Sequence, residues 1–423
     1  MKFFTIVLII FLFQVQASYC QTSNSTSENV LRFSDYIDLV GKHNLDFAAE
    51  HFEVSKAEAA IEIAKVFPDP TISFGLSQDH DGHVTSGNGI SGGLDETVDL
   101  FGKRKARINL AKSQHELSKA LLADFFRNLE AQAAETYLEA LKQKQLYEVK
   151  LNSYQSMKQL AEADSIRLKL GSIKEIDAIQ SKLEAGSLYN ELIRGEADLK
   201  NSLIQLSQMT GKLKEDALRI PDGNLIFKPR IFVLADLVIT AKDKRADLVA
   251  ALCNKDMARK ALTVAQKERK MDLGLTLGVA NSSYTAGYGP SIATVSAGIA
   301  VPLKFSNFYK GELKMAQFQI AQSEVLYDKA ELQIRTEISQ ALQNYLASCK
   351  QVESYDRGML ESAQSVRKGK IYSYNRGETS LLEVLIAQRT FNDIQQNYYE
   401  TLFDRAVALV ELEKAAGIWD INF

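Results

Sequence analysis

Residues 374–417, YNRGETSLLEVLIAQRTFNDIQQNYYETLFDRAVALVELEKAAG, decide the architecture of this chain. Beyond Gly377, apolar residues recur at spacings of seven, three and four: Val384, Phe391, Ile394, Tyr398, Leu402, Leu409, Leu412 and Ala416. This spacing is typical of a helix that buries one stripe of its surface in a coiled coil. Glycine is the residue that most readily takes the left-handed conformation with which a helix ends. Gly377 is therefore predicted to lie at the tip of a helical hairpin.

The same pattern occurs earlier in the chain. Gly171 opens GSIKEIDAIQ much as Gly377 opens GETSLLEVLIAQ. In both segments an acid follows six residues after the glycine, Asp177 in the first and Glu383 in the second. Self-similarity of this kind indicates an internal repeat. Two copies of one unit explain the chain better than two unrelated domains.

Long helices dominate both copies. No proline lies between Lys103 and Leu170, so one helix of ~65 residues, ~100 Å long at 1.5 Å per residue, is predicted there. The expected organisation is a first repeat over 21–211 with its tip near 171, a linker over 212–230, a second repeat over 231–417 with its tip near 377, and a C-terminal tail over 418–423.

Four segments change to an alternating period. Their apolar residues are Ile72, Phe74 and Leu76; Val98 and Leu100; Leu273, Leu275, Leu277 and Val279; and Val295, Ala297, Ile299 and Val301. They predict β-hairpins at about 70–101 and 271–303, whose strands are long enough to cross a bilayer with one apolar face. An open sheet cannot lie in lipid because its edge amides lack partners, so several chains must pool their strands. The predicted fold is an α+β membrane channel. In it, three chains close a twelve-stranded transmembrane β-barrel that long helical hairpins continue as an α-barrel.

The first twenty residues have the order of a secretory signal: Lys2, an apolar run over 3–13, then small and polar residues up to Cys20. The run is shorter than the ~20 residues of a spanning helix, so a retained anchor is the weaker interpretation. Cleavage after Cys20 is expected. The alternative is that Cys20 is lipidated, which the bulky Tyr19 before it disfavours.

Composition and motifs exclude several classes of protein. The chain carries 50 Lys and Arg against 53 Asp and Glu, which argues against nucleic-acid binding. Its three cysteines form no CxxC pair, and there is no Ser-His-Asp set, P-loop or HExxH motif. We therefore predict neither an enzyme nor a cofactor, and no metal site. The possible ligands Asp79, His80, Asp81 and His83 are expected to form an exposed polar loop.

Together these features resemble the TolC family of outer-membrane efflux channels. The resemblance covers nearly the whole mature chain and is carried by the repeat, by FPDPTISFGL from Phe67, by VPLKFSNFYKGELKMAQ from Val301, and by residues 374–417. It implies a homotrimer in the outer membrane of a Gram-negative bacterium, with a helical extension through the periplasm. It also implies a passive exit duct for drugs or heavy-metal cations, working with a periplasmic membrane-fusion adaptor and an inner-membrane pump of the RND or ABC type.

The resemblance also assigns the periplasmic entrance. Acids one turn beyond each tip glycine form rings there in the family, and the matching residues are Asp177 and Glu383. Where the family often has a second acid, this chain has Ile386, so the entrance is expected to be less acidic and more hydrophobic. Adaptor contacts are expected at the hairpin tips, at Gly171, Ser172, Gly377 and Thr379. The alternative for each acid is an ordinary solvated helix face.

Three questions stay open at this point. A soluble periplasmic coiled-coil scaffold or adaptor would explain the helices but not the strands, and only the channel would need detergent for extraction. The cluster Lys103, Arg104, Lys105 and Arg107 either binds lipid phosphate below the barrel or is a solvated helix start. Aromatic residues near the strand ends form either an interfacial girdle or the core of a helix–strand junction: Phe67, Tyr284, Phe305 and Phe308.

Overall fold

The computed structural model describes residues 30–81, 84–212, 218–283, 291–303, 308–421 and 423. The predicted signal segment, His83, Tyr284 and Phe305 lie outside these residues. Within the described ranges, no helix combines the length and the apolar composition needed to span a membrane.

The first repeat contains two short helices, a β-hairpin and two long helices. Its elements are β1 (Val30–Leu31), α1 (Phe33–His43), α2 (Leu45–Lys65), β2 (Thr71–Asp81), β3 (Val84–Val98), α3 (Lys103–Lys169) and α4 (Glu175–Met209). The 67 residues of α3 form one uninterrupted helix, as the absence of proline predicted. At 1.5 Å per residue this helix is ~100 Å long.

The second repeat has the same order, with one difference. β4 (Ile220–Pro221) precedes it, in the predicted linker. Its own elements are α5 (Leu234–Lys244), α6 (Ala246–Glu268), β5 (Leu273–Ser283), β6 (Ile292–Ala300), α7 (Lys310–Asp356), α8 (Met359–Asn375) and α9 (Leu381–Ala416). The counterpart of α3 is divided into α7 and α8 at Gly358, whose φ is 103°. Glycine tolerates this left-handed backbone, which is incompatible with a continuous helix.

In the described part of the chain, the two hairpins form one antiparallel sheet with the strand order β2-β3-β5-β6. Its register places Phe74 opposite Gly92, Gly92 opposite Val279, and Val279 opposite Val295. Because opposed residues project from the same face, the bulky apolar side chains of all four strands share one face. β2 pairs only with β3 and β6 pairs only with β5 among the described residues, so these two strands form the edges of the sheet.

The packed core lies around the middle of the long helices. Tyr137 of α3 is fully buried there, and its hydroxyl lies 2.7 Å from the carbonyl oxygen of Leu31. A second buried cluster on α7 and α9 includes Ile338, Tyr345 and Leu412. The C-terminal segment also packs on this core, since the ring of Phe423 meets that of Phe33 edge-on at 5.3 Å.

Candidate functional site: the hairpin tips and the barrel sheet

The first hairpin tip is a tight left-handed turn. Gly171 has a φ of 69°, and its N–H donates to the carbonyl of Leu168 at 2.9 Å. The N–H of Ser172 donates to the carbonyl of Arg167, also at 2.9 Å. This pair of bonds is the Schellman arrangement, which satisfies the last carbonyls of a helix. It ends α3 and turns the chain back into α4.

The second tip has the same geometry. Gly377 has a φ of 76°. Its N–H donates to the carbonyl oxygen of Tyr374 at 3.0 Å, and the N–H of Glu378 donates to the carbonyl oxygen of Ser373 at the same distance. The next helix, α9, begins after Ser380, whose hydroxyl accepts the N–H of Glu383. The helical hairpins of the two repeats therefore reverse direction at equivalent exposed glycines.

The predicted entrance acids lie in the first turns of the returning helices. Asp177 is half-buried near the start of α4, and Glu383 is exposed near the start of α9. Carboxylates are favoured at these positions by the helix dipole. Glu383 also forms an ion pair of 2.5 Å with Lys370 of α8, and this ammonium holds the pKa of Glu383 below its usual range. Part of the charge of Glu383 is thus neutralised within the same chain.

Ile386 lies one turn further along α9 and is 57 % exposed. Together with Met359 and Val366 of α8 and Ala387 of α9, it lines an apolar groove between these two helices. That Ile386 lines a more hydrophobic channel entrance stays a prediction.

Sequence reasoning missed a buried carboxylate beside the tips. Asp164 of α3 has no exposed surface, and the hydroxyl of Tyr374 in α8 donates to its Oδ1 at 3.1 Å. Burial raises the pKa of Asp164. Close by, Arg167 Nη2 donates to the side-chain oxygen of Asn375 at 2.9 Å. These two contacts join the first helical hairpin to the second.

A signal for this carboxylate exists in the sequence. Met157, Leu160 and Ala161 belong to the buried stripe of α3, and Asp164 follows at the next position of the same stripe. An acid at a position where a coiled coil normally buries an apolar side chain needs a polar partner. The partner, Tyr374, lies 210 residues away, and the sequence alone does not identify it.

The barrel sheet has two chemically different faces. Phe74 and Leu76 are each 86 % exposed, and Val295 is 82 % exposed, all on the same face. The opposite face carries small residues, and a Cβ added to Gly93 or Gly278 would lie 2.6 Å from the hydroxyl of a facing serine. A bulky apolar face and a face of glycine, serine and threonine are typical of the lipid and water sides of a transmembrane barrel.

Comparison with known proteins agrees with this geometry. The family model described as outer membrane efflux protein matches residues 36–212 and 237–418. The chain belongs to the outer membrane efflux protein family. Members of this family are channels of the Gram-negative outer membrane with periplasmic helical extensions, so the chain is an outer-membrane efflux channel protein. The predicted TolC-type family, fold class and location are confirmed.

Individual relatives show how far the likeness extends. The cobalt-zinc-cadmium resistance protein CzcC of Cupriavidus metallidurans is 23 % identical over 382 residues, which cover 90 % of this chain and 88 % of CzcC. The CusC structure superposes with a TM-score of 0.73 at 18 % identity, covering 95 % of this chain and 96 % of CusC. The Campylobacter jejuni CmeC outer membrane channel gives 0.75 at 18 % identity, with 91 % and 85 % covered. At these identities the two structures establish the fold of this family member.

The structure also bears on the cysteines, on possible metal ligands and on the aromatic residues near the strand ends. Cys253 and Cys349 are both free cysteines. Among the described residues, no group of three or more His, Cys, Asp or Glu side chains is arranged to hold a metal ion. Phe67 and Phe308 both lie at helix–strand junctions, where each is exposed and stacked against an arginine.

Proposed function

We propose that three copies of this chain form the exit duct of a tripartite efflux pump. The observation that carries this proposal is the pair of open edges of the sheet, β2 and β6. A four-stranded sheet with an apolar outer face cannot lie in lipid with unpaired edges. Pairing β6 of one copy with β2 of the next satisfies both edges, and three copies supply twelve strands.

The helices attached to these edges support the same contact. α2 leads into β2, and none of its residues, all of which are described, is buried. Leu45, Phe52 and Ile63 are exposed along it. α7 leaves β6 and exposes a second apolar row, Met315, Phe318, Val325 and Leu332, at spacings of three and seven. Two unlike apolar flanks favour a head-to-tail interface, which closes into a ring when the rotation allows it.

The entrance of this duct is proposed at the hairpin tips. In a threefold ring, Asp177 and Glu383 would each occur three times near the axis, where carboxylates favour cations. Because Lys370 neutralises part of the charge of Glu383, Asp177 is expected to contribute more to selectivity. Ile386 would add an apolar layer. The turns at Gly171, Ser172, Gly377 and Thr379, of which the first three residues are exposed and Thr379 is half-buried, are the proposed contacts of a periplasmic adaptor. This adaptor would also bind an inner-membrane pump of the RND or ABC type.

The proposed cargo is a divalent metal cation. The support is the similarity to CzcC, whose name records resistance to cobalt, zinc and cadmium and which aligns over 90 % of this chain. Drug efflux is the alternative cargo. We propose that the duct is passive, so the choice between these cargoes belongs to the pump.

One pair of adjacent residues tests the barrel. Val295 projects from the apolar face of β6 and Thr294 from the opposite face, as their partners Val279 and Ala280 show. An arginine facing lipid at mid-membrane depth costs ~2–4 kcal/mol, whereas one in the lumen meets water. We expect Val295→Arg to reduce the trimer recovered from outer membranes strongly, and Thr294→Arg to leave its amount close to that of wild type.

The trimer itself is measured by native mass spectrometry after detergent extraction, and the duct by conductance in planar bilayers. We expect a mass of three mature chains and a cation-selective conductance that loses selectivity in the Asp177→Asn, Glu383→Gln double variant. Recovery without detergent, with no conductance, would instead support the periplasmic scaffold. A conducting trimer with unchanged selectivity in the double variant would move the entrance to another layer.

A further inference from the structure

All four helix–strand junctions lie at one end of the sheet, because β2 and β5 begin there and β3 and β6 end there. We define the junction belt as residues 65–70, 99–107, 267–272 and 308–314. It contains ten basic residues: Lys65, Lys103, Arg104, Lys105, Arg107, Lys267, Arg269, Lys270, Lys310 and Lys314. It contains five acids: Asp69, Asp99, Glu268, Asp272 and Glu312. The belt is strongly basic in a chain whose net charge is -3.

Some of these cations are used inside the fold. The ammonium of Lys103 is buried and lies 2.6 Å from Oδ2 of Asp272. The guanidinium of Arg107 forms a bond of 2.6 Å to Glu268. The first ion pair joins the start of α3 to the loop after α6, and the second joins it to the end of α6. Lys103 and Arg107, which the sequence placed in one cluster with Arg104, therefore hold the junction together.

Two arginines of the belt are held differently. Arg104 lies 3.9 Å above the ring of Phe67, and its Nη1 donates to the carbonyl of Lys65 at 2.7 Å. Arg269 is exposed and lies 4.0 Å above the ring of Phe308. The backbone N–H of Arg104 donates to Oδ2 of Asp99 at 2.8 Å, but neither guanidinium forms an ion pair with a carboxylate among the described residues. Stacking occupies the face of each guanidinium and fixes its plane, so N–H groups at its edge stay available.

The belt also lies at a defined depth relative to the apolar face of the sheet. Val98 and Leu273, which oppose each other, are the last apolar pair of this face before the junctions, and Ile72 of β2 projects from the same face. Phe67 lies five residues before Ile72 and is 64 % exposed. Aromatic rings with cations beside them are favoured where hydrocarbon meets the headgroup layer. Because the helices of the family extend into the periplasm, this layer belongs to the periplasmic leaflet.

We propose that the junction belt binds the phosphate headgroups of anionic phospholipids, with Arg104 and Arg269 as its two principal contacts. A planar guanidinium matches the geometry of a phosphate and binds it through two N–H groups. The two stacked rings, Phe67 and Phe308, lie beside the two edge strands of the sheet, at the α2–β2 and β6–α7 junctions. The inference rests on the outer-membrane location of the family and on neither the proposed pump nor the proposed conductance.

The test uses the full mature protein purified in detergent. Binding of phosphatidylglycerol and of phosphatidylcholine is compared by native mass spectrometry and by the shift in thermal unfolding temperature as each lipid is added. A Lys or Arg near an anionic lipid surface contributes ~1 kcal/mol, which corresponds to about a five-fold change in dissociation constant. We expect the Arg104→Gln, Arg269→Gln double variant to bind phosphatidylglycerol about thirty-fold more weakly, with phosphatidylcholine binding unchanged.

The matched control is Arg194→Gln, Arg335→Gln, which removes two exposed arginines on α4 and α7 outside the belt. The proposal is wrong if the control weakens phosphatidylglycerol binding equally, or if wild type does not distinguish the two lipids. It is also wrong if millimolar inorganic phosphate displaces the lipid completely, because the site would then bind free anions.

A lysine double variant, Arg104→Lys, Arg269→Lys, keeps the inference testable if the glutamine variant does not assemble. Lysine retains the charge but has no planar group to stack on the ring. We expect an affinity for phosphatidylglycerol that is lower than that of wild type, but reduced by less than the roughly thirty-fold loss expected for the glutamine double variant. A wild-type affinity would refute the role of the stacked guanidinium. Since all these measurements monitor lipid binding, their failure would leave the channel and pump proposals untouched.

Discussion

The hydrogen bond between Tyr374 and Asp164 is the contact whose removal tests the structure of the entrance most directly. It joins α8 to α3, and thus the second helical hairpin to the first, at a buried position close to both tips. Replacing Tyr374 with Phe removes the hydroxyl and keeps the ring. The ring contacts with the cluster formed by Met157, Leu381 and Val384 should therefore persist.

The expected magnitude follows from the chemistry of the acceptor. A hydrogen bond to a charged group contributes ~1.5–3 kcal/mol, whereas one between neutral groups contributes about 1 kcal/mol. We use the range for a charged acceptor at neutral pH. Because burial raises the pKa of Asp164 and so increases its protonated fraction, this range is an upper bound on the free energy that the hydrogen bond contributes. Tyr374→Phe should then increase the equilibrium constant for local opening of the tip by about 10- to 150-fold, since 1.4 kcal/mol is a factor of ten.

Hydrogen–deuterium exchange measures this change directly. Amides at the end of α8, residues 371–377, should exchange faster in the variant by the same factor, while amides in the middle of α3 should be unaffected. Tyr372→Phe is the matched control, because Tyr372 is exposed and its hydroxyl accepts a hydrogen bond from Arg376, the residue that follows α8. Equal protection of residues 371–377 in wild type and Tyr374→Phe would show that the hydrogen bond to Asp164 does not stabilise the tip. An equal loss of protection in Tyr372→Phe would lead to the same conclusion.

Three further predictions concern charge and backbone. Burial raises the pKa of Asp164, so the native tip binds this proton more tightly than the unfolded chain does. The tip therefore loses stability as the pH rises through the raised pKa. Tip amides should exchange hydrogen more slowly in Asp164→Asn than in wild type at pH 8, and at the same rate at about pH 3. Gly377→Ala should destabilise the tip by ~1–2 kcal/mol because φ is 76°, whereas Gly369→Ala inside α8 should stabilise the helix by ~0.5–1 kcal/mol, both measured by local exchange. Burial raises the pKa of Glu130 to about 7, so Glu130→Gln should increase the free energy of unfolding at pH 8 by at most ~3 kcal/mol and leave it unchanged at pH 4. Thermal unfolding at the two pH values measures this, and equal effects at both would contradict burial as the cause.

Much of the architecture could be predicted from the sequence because it rests on local periodicity. The absence of proline between Lys103 and Leu170 predicted a helix that the structure shows as 67 residues. The alternating segments predicted strands, which the structure places at Thr71–Asp81, Val84–Val98, Leu273–Ser283 and Ile292–Ala300. The break in the second repeat was not predicted. Glycine inside a helix is tolerated at Gly186 and Gly369 but ends α7 at Gly358, and the local sequence does not distinguish these cases.

The sequence by itself therefore determined the repeat, the period of each segment and the tip turns, because these depend on neighbours within one or two helical turns. Only the tertiary structure decided which charges are available. It paired Lys103 and Arg107 with acids of α6 and its following loop, yet left Arg104 stacked on Phe67. It also placed Tyr374 beside Asp164, 210 residues earlier. Such partners meet through helix packing over long chain separations, and their identity is fixed by three-dimensional distance, which no spacing along the chain records.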